Sequence, residues 1–335
     1  MAILYFPGPI IKDIREKIEI ILRFVVRGIA YLNEIKSDIT VSIGIPAYNE
    51  EDNIGYLLEN LLSQELCPPF KLDRIFIVAS GCTDKTPQIV EEFRKKYQII
   101  ELIYENERRG KASALNIIFQ RVRTDLIILL GADVLPRKGS LNRLLQPFFA
   151  SSIGAVSGHP IPINNQNGFA DSAAGLIWDL HDLFSSGSDV KLTGEFFAVR
   201  NRLIHRIFSK INCDDALMEF LIRKGNFEIK YAPNAIVDIK GPSSFRDLLT
   251  QRRRIHVGHL QIKAITGKTV KTASIRENFK VLFKIVRKYY KNKWFLPIIL
   301  SEILARVQGY VDYSRGNYQY IWQRIDSTKN LGIRK

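Results

Sequence analysis

Cysteine is scarce in this chain of 335 residues, which contains only three. Cys67, Cys82 and Cys213 form no C-x-x-C pair, and they are too few for a disulfide framework, so neither a disulfide-stapled domain nor a cysteine-based zinc site is indicated. The amino-terminal residues also lack the apolar core and small-residue cleavage site of a secretory signal. These absences predict a cytoplasmic location.

Long apolar runs are missing as well. The longest candidate, residues 294–304, contains Glu302 and is followed by Arg306, so it is too short and too charged to span a bilayer. Residues 11–32 carry apolar side chains at helical spacing, interrupted by Lys and Arg. This pattern predicts an amphipathic amino-terminal helix, which either lies in a membrane interface or packs on the domain.

Positive charge is concentrated at one end of the chain. The last 90 residues contain 20 Lys and Arg against 5 Asp and Glu, a difference equal to the net charge of +15 of the whole chain. Such a segment can face nucleic acid, anionic lipid or an anionic substrate, or it can be a solvated helical surface. No DNA-reading or RNA-reading motif is present, so nucleic acid is not a predicted partner.

Apolar patterning divides the chain into three parts. A hydrophobic content of 46% is enough for a full core. Between residues 38 and 136, four β-rich runs alternate with three helical patterns, which predicts a doubly wound α/β domain with a parallel sheet. Looser strand and helix patterns follow. We therefore predict an amphipathic segment at 1–37, an α/β domain at 38–260 and a basic amphipathic helical tail at 261–335.

The sequence LIILLGADVLP at 126–136 is the clearest single feature. Five apolar residues end at Gly131, Ala132 and the carboxylate of Asp133, as in a buried strand of a sheet covered on both faces. Ligands of open α/β sheets bind outside the carboxyl ends of the strands, which would place Asp133 at a binding crevice. Asp133 alone would more often be a turn or helix cap.

Five stretches, taken together, resemble the inverting glycosyltransferases of family two, which have the GT-A fold, a Rossmann-like mixed sheet. They are IPAYNEE at 45–51, VASGCTDKT at 78–86, RRGKASALN at 108–116, LLGADVLP at 129–136, and the pair CDDALMEFLIRKG at 213–225 with QRRRI at 251–255. The chain departs from the family pattern at four positions. Ala79 and Ser80 replace two acids, Gly131 replaces an acid, and Ile255 replaces a tryptophan.

The resemblance implies a role for each matching residue. The half at 38–136 would bind the nucleotide sugar and the half at 137–260 the acceptor. Asp133 would hold a divalent cation, Mg²⁺ or Mn²⁺, and Asp215, paired with Asp214, would be the general base. The implied donor-binding residues are Pro46, Ala47, Tyr48, Glu50, Ser80, Lys111, Asp133, Gln251, Arg253 and Arg254. Several of these residues also have a simpler explanation than donor binding, because acidic side chains in the first turn of a helix stabilise it through the helix dipole.

The implied activity is transfer of a sugar from a UDP- or GDP-sugar to a lipid-linked or polysaccharide acceptor, with inversion. The basic tail and the amphipathic stretches would hold the enzyme to an anionic membrane surface on the cytoplasmic side of the cell membrane, as a peripheral or monotopic protein. The missing acids leave a second interpretation open, a degenerate protein that binds sugar nucleotides without turnover.

Overall fold

The computed structural model describes residues 38–164, 168–186, 190–268, 270, 279–329 and 331. The predicted amino-terminal helix lies outside these residues. The strands are β1 (Ile39–Ala47), β2 (Phe70–Ser80), β3 (Ile100–Glu105), β4 (Leu126–Leu130), β5 (Val134–Pro136), β6 (Ile153–Pro162), β7 (Phe196–Arg200) and β8 (Glu228–Ile239). The α-helices are α1 (Ile54–Leu62), α2 (Thr86–Lys96), α3 (Lys111–Arg121), α4 (Ser140–Leu145), α5 (Phe169–Ser185), α6 (Asp214–Lys224), α7 (Phe245–Thr266), α8 (Phe279–Tyr289) and α9 (Phe295–Ser314).

The eight strands form one mixed sheet in the order β3-β2-β1-β4-β7-β6-β8-β5. Strands β1 to β4 are mutually parallel, as the alternating pattern predicts. Strand β7 runs antiparallel to both of its neighbours, β4 and β6, and β5 runs antiparallel to β8. The sheet is therefore parallel in the half that comes first in the chain and mixed in the other half.

Helices cover both faces of the sheet. All five side chains of β4 are buried, which explains why its sequence is a continuous apolar run and does not alternate. On one face the strands share a core with Ile54, Leu57 and Leu61 of α1. On the other face the core includes Leu115 and Ile118 of α3.

The carboxyl-terminal helices pack against the α/β domain. The predicted boundary between residues 260 and 261 falls within α7, and α9 packs along that helix. Leu176 of α5, Leu248 of α7, Ile285 of α8 and Ile298 of α9 belong to one apolar cluster. Among the helices in the described ranges, none combines the length and apolar content needed to cross a bilayer.

Backbone pairing brings two strand ends to the same edge of the sheet. Strand β4 ends where antiparallel β7 begins, and the amide of Gly131 donates to the carbonyl oxygen of Glu195 at 3.2 Å. The turns that follow β1 and β2 lie at this edge too, because β1, β2 and β4 are parallel. This edge is where the sequence predicts ligand binding.

Two glycines provide a test of the packing under this edge. A Cβ at Gly44 of β1 would lie 2.7 Å from Ile118 Cγ2 and 2.9 Å from Leu129 Cδ2, whereas a Cβ at Gly55 of α1 would have its nearest neighbour at 3.6 Å. We expect Gly44→Ala to lower the free energy of unfolding by about 1–3 kcal/mol through overpacking. The control Gly55→Ala should raise it by about 0.5–1 kcal/mol. Urea denaturation followed by circular dichroism measures both, and equal effects would contradict the described packing of β1 on α3.

Candidate active site

A cavity of about 420 Å³ opens at this edge of the sheet. Its walls come from the turns after β1, β2 and β4, from the start of α3, and from α5, α6, α7 and α9. Eleven of the residues implied by the resemblance line it: Pro46, Ala47, Tyr48, Glu50, Ser80, Lys111, Asp133, Asp214, Asp215, Gln251 and Arg254. The fold thus gathers into one cavity residues that are up to 208 positions apart in the chain.

The turn after β1 is fixed to the turn after β2. Asn49 has a φ of 53°, a left-handed conformation that asparagine tolerates better than most residues. Its amide group donates to Thr83 Oγ1 at 3.0 Å and accepts from the Thr83 backbone amide at 2.8 Å. Next to it, the guanidinium of Arg108 lies 3.6 Å from the centre of the Tyr48 ring. One face of Tyr48 is therefore covered by a cation.

A carboxylate from β3 approaches the position of a missing acid. Ser80 donates from its hydroxyl to Glu105, and Ser113 donates to the other carboxylate oxygen at 2.5 Å. The register of the parallel strands pairs Ser80 with Glu105 directly. The family motifs do not include Glu105. The sequence could still have indicated this residue, because Glu105 ends the strand that follows β2, and neighbouring parallel strands end at the same edge of the sheet.

Asp133 and Glu50 converge on an ammonium group from the carboxyl-terminal part of the chain. Lys329 Nζ donates to Asp133 Oδ2 at 2.7 Å and to Glu50 Oε1 at 2.5 Å. Burial alone would raise the pKa of Asp133, but the Lys329 ammonium outweighs that effect and lowers it. Burial and the nearby Asp133 charge raise the pKa of Glu50 to about 7. Motif reasoning gave no indication of Lys329.

Arg254 is buried against an aromatic ring that the motif would not have predicted. Its guanidinium lies 3.5 Å from the centre of the Trp322 ring, and Arg108 donates to the backbone oxygen of Trp322. Burial lowers the pKa of Arg254 to about 9, and the neighbouring Arg108 charge acts in the same direction. Trp322 thus supplies an aromatic contact to Arg254. The next residue in the chain is Ile255, where the family pattern has a tryptophan.

The acid pair at the start of α6 is linked to the start of α3. Lys111 Nζ donates to the carbonyl oxygen of Gly194 at 2.9 Å and lies 3.4 Å from Asp214 Oδ2. Burial would lower the pKa of Lys111, but the charges of Asp214, Glu195 and Asp215 raise it. Burial raises the pKa of Asp214, against the opposing charge of Lys111. Lys111 is therefore positioned by the acceptor-side acids as well as by its helix terminus.

The three consecutive arginines of α7 do not all face the cavity. Arg252 lines it and donates to both carboxylate oxygens of Glu302 on α9, at 2.7 and 3.0 Å. Arg253, which the resemblance assigns to the donor, instead donates to Asp312 of α9 and does not line the cavity. Successive positions on a helix point about 100° apart, so one face cannot present all three side chains.

The carboxylates of the cavity are suited to a divalent cation. No group of three or more His, Cys, Asp or Glu side chains with metal-binding geometry occurs in the described part of the chain. Magnesium and manganese in nucleotide sites, however, often take only one or two carboxylates together with phosphate oxygens. Asp133 and Glu50 already hold one cationic group between them, the ammonium of Lys329. The residues present therefore fit a divalent cation.

The sheet order and the cavity define the class of protein. The structure aligns with a mannosyltransferase from Pyrobaculum calidifontis in complex with GDP-Man and Mn²⁺, with a TM-score of 0.60, 18% identity, and coverage of 88% of this chain and 94% of that one. The fold is the GT-A fold of glycosyltransferases.

The sequence comparisons identify the family. Residues 42–208 match the model of glycosyl transferase family 2, and the chain belongs to that family of enzymes. It is 27% identical over 227 residues to a probable glycosyltransferase, YdaM, of Bacillus subtilis, covering 64% of this chain and 54% of the relative. It is 24% identical over 294 residues to a poly-beta-1,6-N-acetyl-D-glucosamine synthase of Staphylococcus epidermidis, covering 84% and 68%. The chain thus spans about half the length of the first of these relatives.

Glu195 provides a pH-dependent test of the site's electrostatics. Burial raises its pKa from 4.5 to about 7, although the Lys111 charge opposes this. Because the folded protein holds this proton more tightly than the unfolded chain, the group disfavours folding increasingly as the pH rises from 4.5 to 7, by up to about 3 kcal/mol. We expect Glu195→Gln to raise the Tm by several degrees at pH 8 and to change it little at pH 4.5.

Thermal melts at a series of pH values measure this difference. Glu107→Gln is the matched control, since the Glu107 side chain is 77% exposed and its substitution should change the Tm little. A pH-independent effect of Glu195→Gln would contradict the buried environment of this carboxyl group.

Proposed function

We propose that this glycosyltransferase moves a sugar from a UDP- or GDP-sugar to a hydroxyl or phosphate oxygen of a lipid or glycan acceptor, with inversion at the anomeric carbon. One observation carries the proposal: a single cavity contains both Asp133, at the end of the nucleotide-binding half, and Asp215, at the start of α6. These are the carboxylates that the motifs assign to the donor and to the acceptor.

The donor would lie along the turns after β1, β2 and β4. Tyr48 and Ser80 would contact the nucleoside, and Arg254 would contact the diphosphate, which a buried guanidinium can bind bidentately. Arg253 is left out of this set because Asp312 binds it outside the cavity. Gln251 lines the same wall as Arg254.

The reaction would be a single displacement. Asp215 accepts the proton of the acceptor hydroxyl while the acceptor oxygen forms its bond to the anomeric carbon. The bond between that carbon and the diphosphate oxygen breaks on the opposite face, and the nucleoside diphosphate leaves with the electron pair. Attack opposite the leaving group inverts the configuration. Asp214, beside Lys111, would position the start of α6.

A divalent cation, Mg²⁺ or Mn²⁺, would be held by Asp133. Such an ion neutralises negative charge that develops on a departing diphosphate. The complex of the Pyrobaculum calidifontis mannosyltransferase contains Mn²⁺, which supports the use of a divalent cation.

The far wall of the cavity favours a lipid acceptor. It includes the apolar side chains of Trp178 and Phe184 of α5 and of Ile298 and Ile299 of α9, and Glu302 and Arg306 of α9 also line the cavity. A beta-monoglucosyldiacylglycerol synthase of a Nostoc species is 30% identical over 129 residues, which cover 38% of this chain and 27% of that protein. A lipid with one reactive headgroup would place its chain along the apolar wall and its headgroup beside Asp215.

The outer face of α9 would contact an anionic membrane. Its exposed apolar side chains recur at helical spacing and are 37% to 65% exposed: Leu296, Leu300, Ile303, Leu304, Val307, Tyr310 and Val311. The segment before it contains Lys284, Arg287, Lys288, Lys291 and Lys293. Apolar area beside basic side chains suits the surface of an anionic bilayer. The same helix also forms part of the cavity wall, so this surface adjoins the proposed acceptor site.

The role of Asp215 is tested by Asp215→Asn. We expect turnover of the active nucleotide sugar to fall by about a hundredfold to ten-thousandfold, because the proton acceptor is lost, with nucleotide binding retained. Released nucleoside diphosphate is measured across a panel of UDP- and GDP-sugars, and nucleotide affinity by calorimetry. The exposed Asp73→Asn is the control and should retain full activity. If the parent protein binds nucleotide sugars but turns over none, it is a binding protein and the proposed transfer is wrong.

The membrane surface is tested by the double variant Leu300→Asp and Val307→Asp. Both side chains are more than half exposed, so folding should be retained. We expect flotation with vesicles containing phosphatidylserine to fall by about tenfold or more, because the apolar contact area is lost. Phe208→Asp is the matched control, an equally exposed apolar residue elsewhere on the surface. Equal flotation of the two variants would place the membrane contact somewhere other than α9.

A further inference from the structure

A lysine ammonium lies where two carboxylates of the donor site meet, the buried Glu50 and the partly exposed Asp133. Lys329 Nζ is 2.5 Å from Glu50 Oε1 and 2.7 Å from Asp133 Oδ2. Glu50 follows β1 and Asp133 follows β4, and the two strands are parallel neighbours in the sheet. The site therefore holds one cation between two acids that come from adjacent strand ends.

The segment that carries this lysine, residues 318–329, lies over the cavity and is attached at several points. The Asn53 side chain donates to the carbonyl oxygen of Lys329 and accepts from the amide of Leu331 at 3.3 Å. Ser327 donates to Asp247 Oδ2 at 2.7 Å. Trp322, Gln323, Arg324, Ile325, Thr328 and Lys329 all line the cavity. The position of Lys329 is thus defined by contacts beyond its own ion pairs.

The segment also occupies the space next to the two arginines of the site. The Trp322 ring covers the guanidinium of Arg254, and the Trp322 carbonyl accepts from Arg108. A Cβ at Gly110 would lie 2.9 Å from the carbonyl oxygen of Tyr320, so the segment also approaches the start of α3 closely. In this arrangement Arg254, which is proposed to contact the diphosphate, and the neighbouring Arg108 already have partners within the chain.

Two carboxylates this close to one another need a cation between them. Bringing like charges together in a buried site is costly, and removal of the neutralising partner leaves an uncompensated charge. Carboxylate oxygens are also the ligands that Mg²⁺ and Mn²⁺ prefer. An ammonium and a metal ion cannot occupy the same position between these oxygens.

We propose that Glu50 and Asp133 together form one cation site, for which the Lys329 ammonium and a divalent cation compete. Lys329 fills the site when no donor is bound. The divalent cation, together with the donor diphosphate, displaces Lys329 and with it residues 318–329. Glu50 then serves as the second carboxylate of the site, in place of the acid that is missing at Gly131. This inference rests on the proposed function for its donor and goes beyond it in assigning Glu50 and Lys329.

Manganese binding to the 335-residue chain without nucleotide tests the competition directly. We expect Lys329→Met to bind Mn²⁺ about tenfold or more tightly than the parent, because the internal competitor is removed. Lys329→Arg should stay close to the parent, since it keeps the charge. Lys96→Met, which removes an exposed lysine of α2, is the control for the change in net charge. Electron paramagnetic resonance of free Mn²⁺ gives the affinities, and thermal melts confirm that each variant is folded.

The assignment of Glu50 is tested in the Lys329→Met background. Glu50→Gln and Asp133→Asn should each weaken Mn²⁺ binding by about tenfold or more if both carboxylates hold the ion. Unchanged Mn²⁺ affinity in Glu50→Gln overturns the shared site. Unchanged affinity in Lys329→Met overturns the competition.

The displacement of the segment has its own measurement. In the parent protein, Mn²⁺ with UDP or GDP should speed tryptic cleavage after Arg324 and Lys329, and mass spectrometry of the peptides measures this rate. Cleavage that is unaffected by Mn²⁺ and nucleotide contradicts the inference. None of these measurements requires turnover. If the protein shows the competition but no transferase activity, the proposed function is wrong and this inference still holds.

Discussion

Negative charge gathered at one edge of the sheet is the constraint on which the site depends. Glu50, Asp133, Asp214 and Asp215 all line a single cavity, and buried carboxylates are stable only when cations or donors face them. Lys329 neutralises the first two and Lys111 contacts the third. One of these cations comes from the start of α3 and the other from the carboxyl-terminal segment, so the balance of charge ties distant parts of the chain to the same edge.

The departures from the family pattern are accompanied by groups from elsewhere in the chain. Ser80 stands where an acid is usual, and the carboxylate of Glu105 contacts its hydroxyl. Ile255 stands where tryptophan is usual, and Trp322 lies on the neighbouring Arg254. A side chain at Gly131 would also meet a neighbour, because its Cβ would be 2.7 Å from Asp133 Oδ1. An acid at that position would therefore require the Asp133 carboxylate to shift.

The sequence predicts the long, strongly patterned elements well. The sequence predicts a strand at 126–130 and helices at 111–121 and 214–224, and β4, α3 and α6 have these bounds. The short elements β5 and α4 were not predicted, since three and six residues carry too little periodicity. The sequence predicts a helix over residues 50–64, but α1 begins only at Ile54, because residues 50–53 form the turn that places Glu50 in the site.

Side-chain direction and long-range contacts account for the rest of the difference. The motif places three arginines together, but only the helix geometry shows that Arg253 points to Asp312. Lys329 is 279 residues from Glu50 and 196 from Asp133, and its segment has no periodic pattern that would mark it as part of a site. Contacts of this kind depend on the packing of α7 and α9, which local sequence does not specify.

The reversal of direction between β4 and β7 separates two sets of loops. Because β7 runs against β4, the loop that enters β7 reaches the same edge as the loop that leaves β4, and Gly131 bonds directly to Glu195 there. The parallel half supplies Tyr48, Ser80 and Asp133, whereas α5, α6 and α9 supply the apolar wall and the acid pair. Substitutions on one side of this seam can alter one wall of the cavity while the other keeps its own backbone support, so the two walls can diverge during evolution except where Lys111 links them through Gly194 and Asp214.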